Sequence, residues 1–145
     1  SACLVGSEMC IETDPYLSVC ATGTHDTSTL RGWWEEDRQM SERFFHETLH
    51  CEGQAPYFCD PWVCERIVRQ HLDSPSMLCV LPLQDWISID GAVRFQGNPE
   101  EERINIPANP RHYWRWRMHL SLEDLLAHSD LTRHLRALIS DSGRG

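Results

Sequence analysis

The chain has no lysine: all 13 of its basic residues are arginine. Against 22 acidic residues they leave a net charge of −9. The basic face that phosphate binding needs is therefore missing, and a nucleic-acid partner is not expected. We read the all-arginine usage as coding bias and attach no function to it. Long apolar runs are missing too. The longest, Met77 to Leu83, is far too short to span a bilayer and contains Pro82, so no membrane span is expected. Paired cysteine spacing is also lacking. The seven cysteines (3, 10, 20, 51, 59, 64 and 79) are odd in number and include no CxxC pair, and no secretory leader is visible. A disulfide framework is thus not expected; reduced thiols in a cytoplasmic protein are. The 145 residues suffice for one ordinary domain, although a start at Ser1 without Met suggests a fragment or a processed chain.

The segment 1–15 supports no element. Tyr16 to Ala21 is a short apolar run suited to a buried strand. After a loop over 22–27, the apolar residues from Leu30 to Leu49 recur at three- and four-residue steps. Their spacing predicts one amphipathic helix from Ser28, weakened only by Gly32. Asp60-Pro61 opens a second helix, which reaches about His71. Ser76 to Leu81 is the second buried-strand candidate. The stretch 88–112, rich in Gly, Asn and Pro, reads as loop. Ser121 to Asp124 resembles a capping box before a helix with Leu122, Leu125, Leu126, Leu135, Leu138 and Ile139 on one face. Buried strands separated by helices imply parallel pairing and an α/β fold. Two strands do not make a stable sheet, so the fold is expected to be part of a larger one.

The richest site signal is His25-Asp26, in a loop of small residues between the first strand and its helix. In β/α barrels such loops form the active-site face. A carboxylate there can accept hydrogen bonds from sugar hydroxyls and stabilise a neighbouring oxocarbenium-like charge. The competing reading makes Asp26 a cap for the helix starting near Ser28. Gln84-Asp85, just past the second strand, would lie at the same end. Asn105, in the long loop, is a candidate substrate-lining residue.

Three further features are weighed against ordinary roles. His46-Glu47-Thr-Leu-His50 fits H-E-x-x-H, the zinc-peptidase pattern, but Pro56 stands where the extended motif needs its third His. The six Trp residues could stack on sugars as a non-catalytic glucan-binding module. Helical spacing instead puts Trp33 and Trp34 in the core, and packing with arginine stems is favoured for Trp114 and Trp116. The acidic runs Glu35–Asp37 and Glu100–Glu102 read as solvated surface.

Tyr16 to Asp37, Pro75 to Asp85 and Arg103 to Met118 together resemble the C-terminal part of the 4-α-glucanotransferases, glycoside hydrolase family 77. The motifs carrying the likeness are Thr-His-Asp-x-Ser-Thr-Leu-Arg-x-Trp-Trp-Glu-Glu-Asp, Leu-Gln-Asp and Asn-Pro-x-His-Tyr-Trp-Arg. They look most like the long plant and bacterial form. The resemblance implies the last two strand–helix units of a (β/α)8 TIM barrel within residues 16–145. It also implies a retaining double displacement between maltooligosaccharides or other α-1,4-glucans, with no cofactor or metal. On this likeness Asp26 is the transition-state-stabilising Asp and His25 its hydroxyl-binding neighbour. The nucleophile and acid/base are expected upstream, and the isolated chain is expected to be inactive.

Overall fold

The computed structural model describes residues 2–3 and 15–145. Three two-residue strands, β1 (Ala2–Cys3), β2 (Val19–Cys20) and β3 (Leu78–Cys79), form a parallel sheet in chain order. Val19 pairs with Ala2 and Leu78, and Cys20 with Cys3 and Cys79. The first strand corrects the expectation that 1–15 holds no element. Two residues are too few to show an apolar period, so only pairing reveals it. The rest of that segment, Ser1 and 4–14, lies outside the described residues.

Neither candidate strand is buried on both faces, as was expected of them. Ser18 and Cys20 point inward, and Ser18 Oγ donates to Ser76 Oγ at 2.9 Å. Val19, Leu78 and Val80 are exposed. The period-two alternation of a strand puts one face on the helices and leaves the other open in this chain.

The expected long helix is two: α1 (Leu30–Glu36) and α2 (Arg38–Glu47). Asp37 breaks it. Its carboxylate accepts from the Gln39 and Met40 N–H groups, offering the start of a new helix more than the continuation of an old one. Next, α3 (Pro61–Leu72) begins at Pro61 as Asp60-Pro61 predicts. A short α4 (Leu83–Ile87) follows β3, and a 3₁₀ turn (Pro99–Glu102) interrupts the expected loop. At the C-terminal end Ser121 caps α5 (Leu122–Ala127), accepting from Asp124 N–H at 3.0 Å. The chain breaks again at His128 before α6 (Ser129–Asp141). That break removes Leu122 and Leu126 from the common apolar face; they are exposed, while Leu131 and Leu138 enter the core.

The core lies between α1, α2, α3, α4 and α6. Leu30, Trp34, Phe45, Val63, Ile67, Val68, Ile87 and Leu138 are buried in one cluster. Trp34 satisfies its indole N–H on the Pro56 carbonyl at 3.1 Å, so the largest core side chain leaves no donor unpaired. Among the described residues no helix is long and apolar enough to cross a membrane.

His71, on the sheet-facing side of α3, adds a pH dependence. Burial holds its pKa below the usual imidazole value, with Nδ1 2.8 Å from the Ile67 carbonyl oxygen. The unfolded chain therefore binds this proton more readily than the folded one. The His71 contribution is complete above the ordinary His pKa of about 6.5 and is lost as pH falls below it. Urea midpoints from pH 8 to pH 5 should fall on acidification more steeply for the parent than for His71→Leu. Parallel curves would refute this.

Candidate active site

The loop from Thr22 to Thr29 leaves the C-terminal end of β2. Its centre is a turn in which Thr27 N–H bonds the Thr24 carbonyl at 3.2 Å. Thr27 Oγ1 closes the turn, accepting from Thr24 N–H at 2.9 Å. Gly23 makes room for it: a Cβ there would lie 2.7 Å from Thr27 Oγ1 and 3.3 Å from the Ser28 carbonyl. Larger residues would push the turn apart.

At the tip, the Asp26 and His25 side chains are about half exposed, with His25 Nε2 3.4 Å from Asp26 Oδ1. Asn105 donates its Nδ2 to the same oxygen at 2.6 Å, from 79 residues away in sequence. Asp26 is not a helix cap. Thr29 is the N-cap of α1, accepting from Gly32 N–H at 3.3 Å. The Asp26 carboxylate is thus oriented by an amide and left open toward solvent. Beside it runs a groove of about 390 Å³ lined by Gly23, His25, Thr27, Leu83, Gln84 and Trp116, among others, a volume within the range of small-ligand sites. The Trp114 ring, exposed, lies 5.2 Å from the His25 ring.

Sequence placed His25, Asp26, Asn105 and Gln84 at one site, and the fold brings these four to one end of the sheet. Gln84 is mostly buried and donates Nε2 to the Glu102 carbonyl at 3.2 Å, though it reaches the groove wall. Asp85 does not line the groove. It is 1% exposed, with Oδ1 accepting from Leu30 N–H at 2.9 Å and Oδ2 from the Thr22 hydroxyl. At that exposure, and with each oxygen already bonded inside the protein, the carboxylate is closed off from a ligand in the groove. Burial pushes it up to about 6, opposed by those two hydrogen bonds.

Two other expectations also change. Helix α2 ends at Glu47 with Thr48 as its C-cap, and His50 lies beyond it at φ 51°. His46 and His50 therefore share no helix face, and the His46 ring nitrogens already face the Cys51 carbonyl (2.9 Å) and Glu42 (3.3 Å). Among the described residues no three His, Cys, Asp or Glu side chains group as a metal site. The zinc-peptidase pattern is a chance match. Trp114, favoured for packing, instead stands exposed at the site; Trp34 is core, as its spacing predicts, and Trp33 packs half-buried against it.

Sequence reading missed the support under the site. Glu102, taken as surface, is buried and accepts from Arg31 Nη1 at 3.0 Å; Arg31 also donates to the Phe95 carbonyl at 2.8 Å. Burial raises the Glu102 carboxyl, and the Arg31 charge opposes that rise. Glu102 and Arg103 both border the groove, and Arg103 sits between Glu36 (3.7 Å) and Glu100 (3.5 Å). A run of three acids hides which one turns inward. Only the 3₁₀ turn decides it.

The arrangement supplies one open carboxylate, a half-exposed imidazole, an exposed indole and a groove. That suits binding and charge stabilisation at a sugar ring. Among the described residues no second carboxylate opens on the groove: Glu102, which borders it, is buried against Arg31.

Comparison with known proteins gives the same direction. A family model described as 4-alpha-glucanotransferase matches residues 7–123. Over 130 residues the chain is 42% identical to the 4-alpha-glucanotransferase DPE2 of Oryza sativa, covering 89% of this chain and 14% of that protein. It is 30% identical over 133 residues to a 4-alpha-glucanotransferase of Chlamydia trachomatis, covering 86% and 23%. The fold matches that of amylomaltase from Streptococcus agalactiae, a TIM-barrel enzyme solved with acarbose, at a TM-score of 0.63 and 21% identity. That match covers 88% of this chain and 22% of the other. The chain thus spans under a quarter of the relatives it matches. It belongs to the 4-alpha-glucanotransferases of glycoside hydrolase family 77.

Proposed function

We propose that this chain is the closing portion of a (β/α)8 barrel in a 4-α-glucanotransferase, with residues 16–145 carrying its last two strand–helix units. The enzyme moves glucosyl or glucan segments between maltooligosaccharides or other α-1,4-glucans by a retaining double displacement. Asp26 stabilises the charged transition state. The carrying observation is its half-exposed carboxylate, relieved of capping by Thr29 and aimed by Asn105 at the C-terminal end of a parallel strand.

Asp26 accepts hydrogen bonds from ring hydroxyls of the sugar whose C1 becomes electron-poor, and its negative charge counts most when that positive charge develops. His25 holds a hydroxyl alongside. Asn105 fixes the rotamer of Asp26, and Trp114 offers a face for the sugar ring to lie against. The nucleophile and the acid/base belong to the remainder of the enzyme. A cytoplasmic location goes with this reading, in keeping with free thiols at Cys20, Cys51, Cys59, Cys64 and Cys79.

The full-length protein should convert maltotriose to glucose and longer glucans with little net hydrolysis. The 145-residue chain alone should do neither. Net release of reducing ends without longer products would rule out the transferase. Longer products made by the isolated chain would overturn the division of roles between this portion and the rest.

A further inference from the structure

Asp85 stands in the first turn of α4, immediately beyond β3, yet both its oxygens reach across to the neighbouring strand's loop. Oδ2 accepts from the hydroxyl of Thr22, where the chain leaves β2, and Oδ1 accepts from the N–H of Leu30, where α1 begins. Between those residues is the loop that presents His25 and Asp26. One buried carboxylate therefore holds both ends of the loop.

We propose that Asp85 is a positioning residue for Asp26, a bridge from the next strand that sets the span of the loop and so the place of its carboxylate. This rests on the transition-state role given to Asp26 above. The Thr22 hydroxyl and the Leu30 N–H converge on one group, which must accept twice; a carboxylate does that, while an amide has a single acceptor oxygen. Asn could keep the bridge only if the Thr22 hydroxyl turned round to accept, and both bonds would then be neutral and weaker.

Stability does not explain a carboxylate here. Among the described residues neither oxygen is paired with a cation, and burial acts against the ionised form. The Asp85 charge opposes ionisation of both Glu102 and Cys64; Arg31 and His119 act the other way on Glu102, and Arg94 does so on Cys64. The position sustains a buried charge that a neutral side chain would avoid. What the charge contributes is two strong, directional bonds to the ends of the site loop.

The test uses full-length enzyme with maltotriose, measuring kcat, KM and melting temperature for the parent, Asp85→Asn and Thr22→Val. Asp85→Asn should lower kcat roughly 10- to 100-fold, the scale of a small misplacement of a reacting group, with KM changing less than about threefold. Its melting temperature at neutral pH should match or exceed the parent's, because the amide escapes the burial of charge. Thr22→Val, which removes only the strand-side bond, should lower kcat several-fold. Parental kcat in both variants, or an Asp85→Asn that slows only in step with a lowered melting temperature, would overturn the proposal. If Asp85→Asn does not fold, parental kcat in Thr22→Val overturns it alone. Asp26→Asn separates the two levels: full activity there defeats the functional reading, whereas inactive Asp26→Asn beside fully active Asp85→Asn and Thr22→Val defeats only the bridge.

Discussion

Asp26→Asn in the full-length enzyme should lower kcat about 10²- to 10³-fold, the range seen when one preorganised charge-stabilising group is lost. The amide can still accept a hydrogen bond from a hydroxyl, so substrate binding should survive better than turnover. On the proposed role, what disappears is the negative charge, and with it an attraction that grows only as C1 becomes positive. The variant should fold normally. The Asp26 side chain is about half exposed, Thr29 rather than Asp26 caps α1, and Asp85 holds the loop ends without it. Steady-state rates with maltotriose, beside a melting curve, make the measurement. Turnover within twofold of the parent would return Asp26 to an ordinary loop residue.

The second large effect is on stability. Glu102→Ala should destabilise the fold by about 3–5 kcal/mol, because it strands the Arg31 guanidinium in a buried site where, among the described residues, the Phe95 carbonyl is its remaining partner. Replacing both partners, as Arg31→Leu with Glu102→Leu, removes the charge that would be stranded and should restore much of the loss. Denaturant unfolding of the three proteins gives the comparison. A single-variant loss under about 1 kcal/mol would class the pair with exposed ion pairs, contrary to its burial. The same change should disturb the groove, since Gln84 donates to the Glu102 backbone and Arg103 follows directly.

These two residues also mark what can be read from the chain alone. The place of Asp26, in an open loop after a strand, was legible because its signal is local: a short apolar run, small residues, then a His-Asp pair. The core positions Trp34 and Leu138 were legible for a similar reason, since helical spacing dictates which side chains share a face. Glu102 was not legible. Its neighbours Glu100 and Glu101 have the same chemistry, and only the distant Arg31 distinguishes it. Asp85 was found but misassigned: its place after a strand suggests the ligand end of the sheet, while its partners Thr22 and Leu30 are 63 and 55 residues away. The helix breaks at Asp37 and His128 were missed because apolar periodicity runs through both. At Asp37 the carboxylate bonds to two backbone N–H groups and overrides that period.

Arg144 bears on where this unit can be cut. Its guanidinium donates to the carbonyls of Leu72, Ser74 and Ser76, tying the penultimate residue to the turn that feeds β3. Helix α6, which leads to it, inserts Leu131 and Leu138 into the core. The family model's match stops at residue 123, short of all three. An expression boundary drawn there would discard two interior leucines and the clasp on the strand that carries Gln84 and Asp85 toward the site. The structural unit runs at least to Arg144, and any excised or swapped version has to keep it.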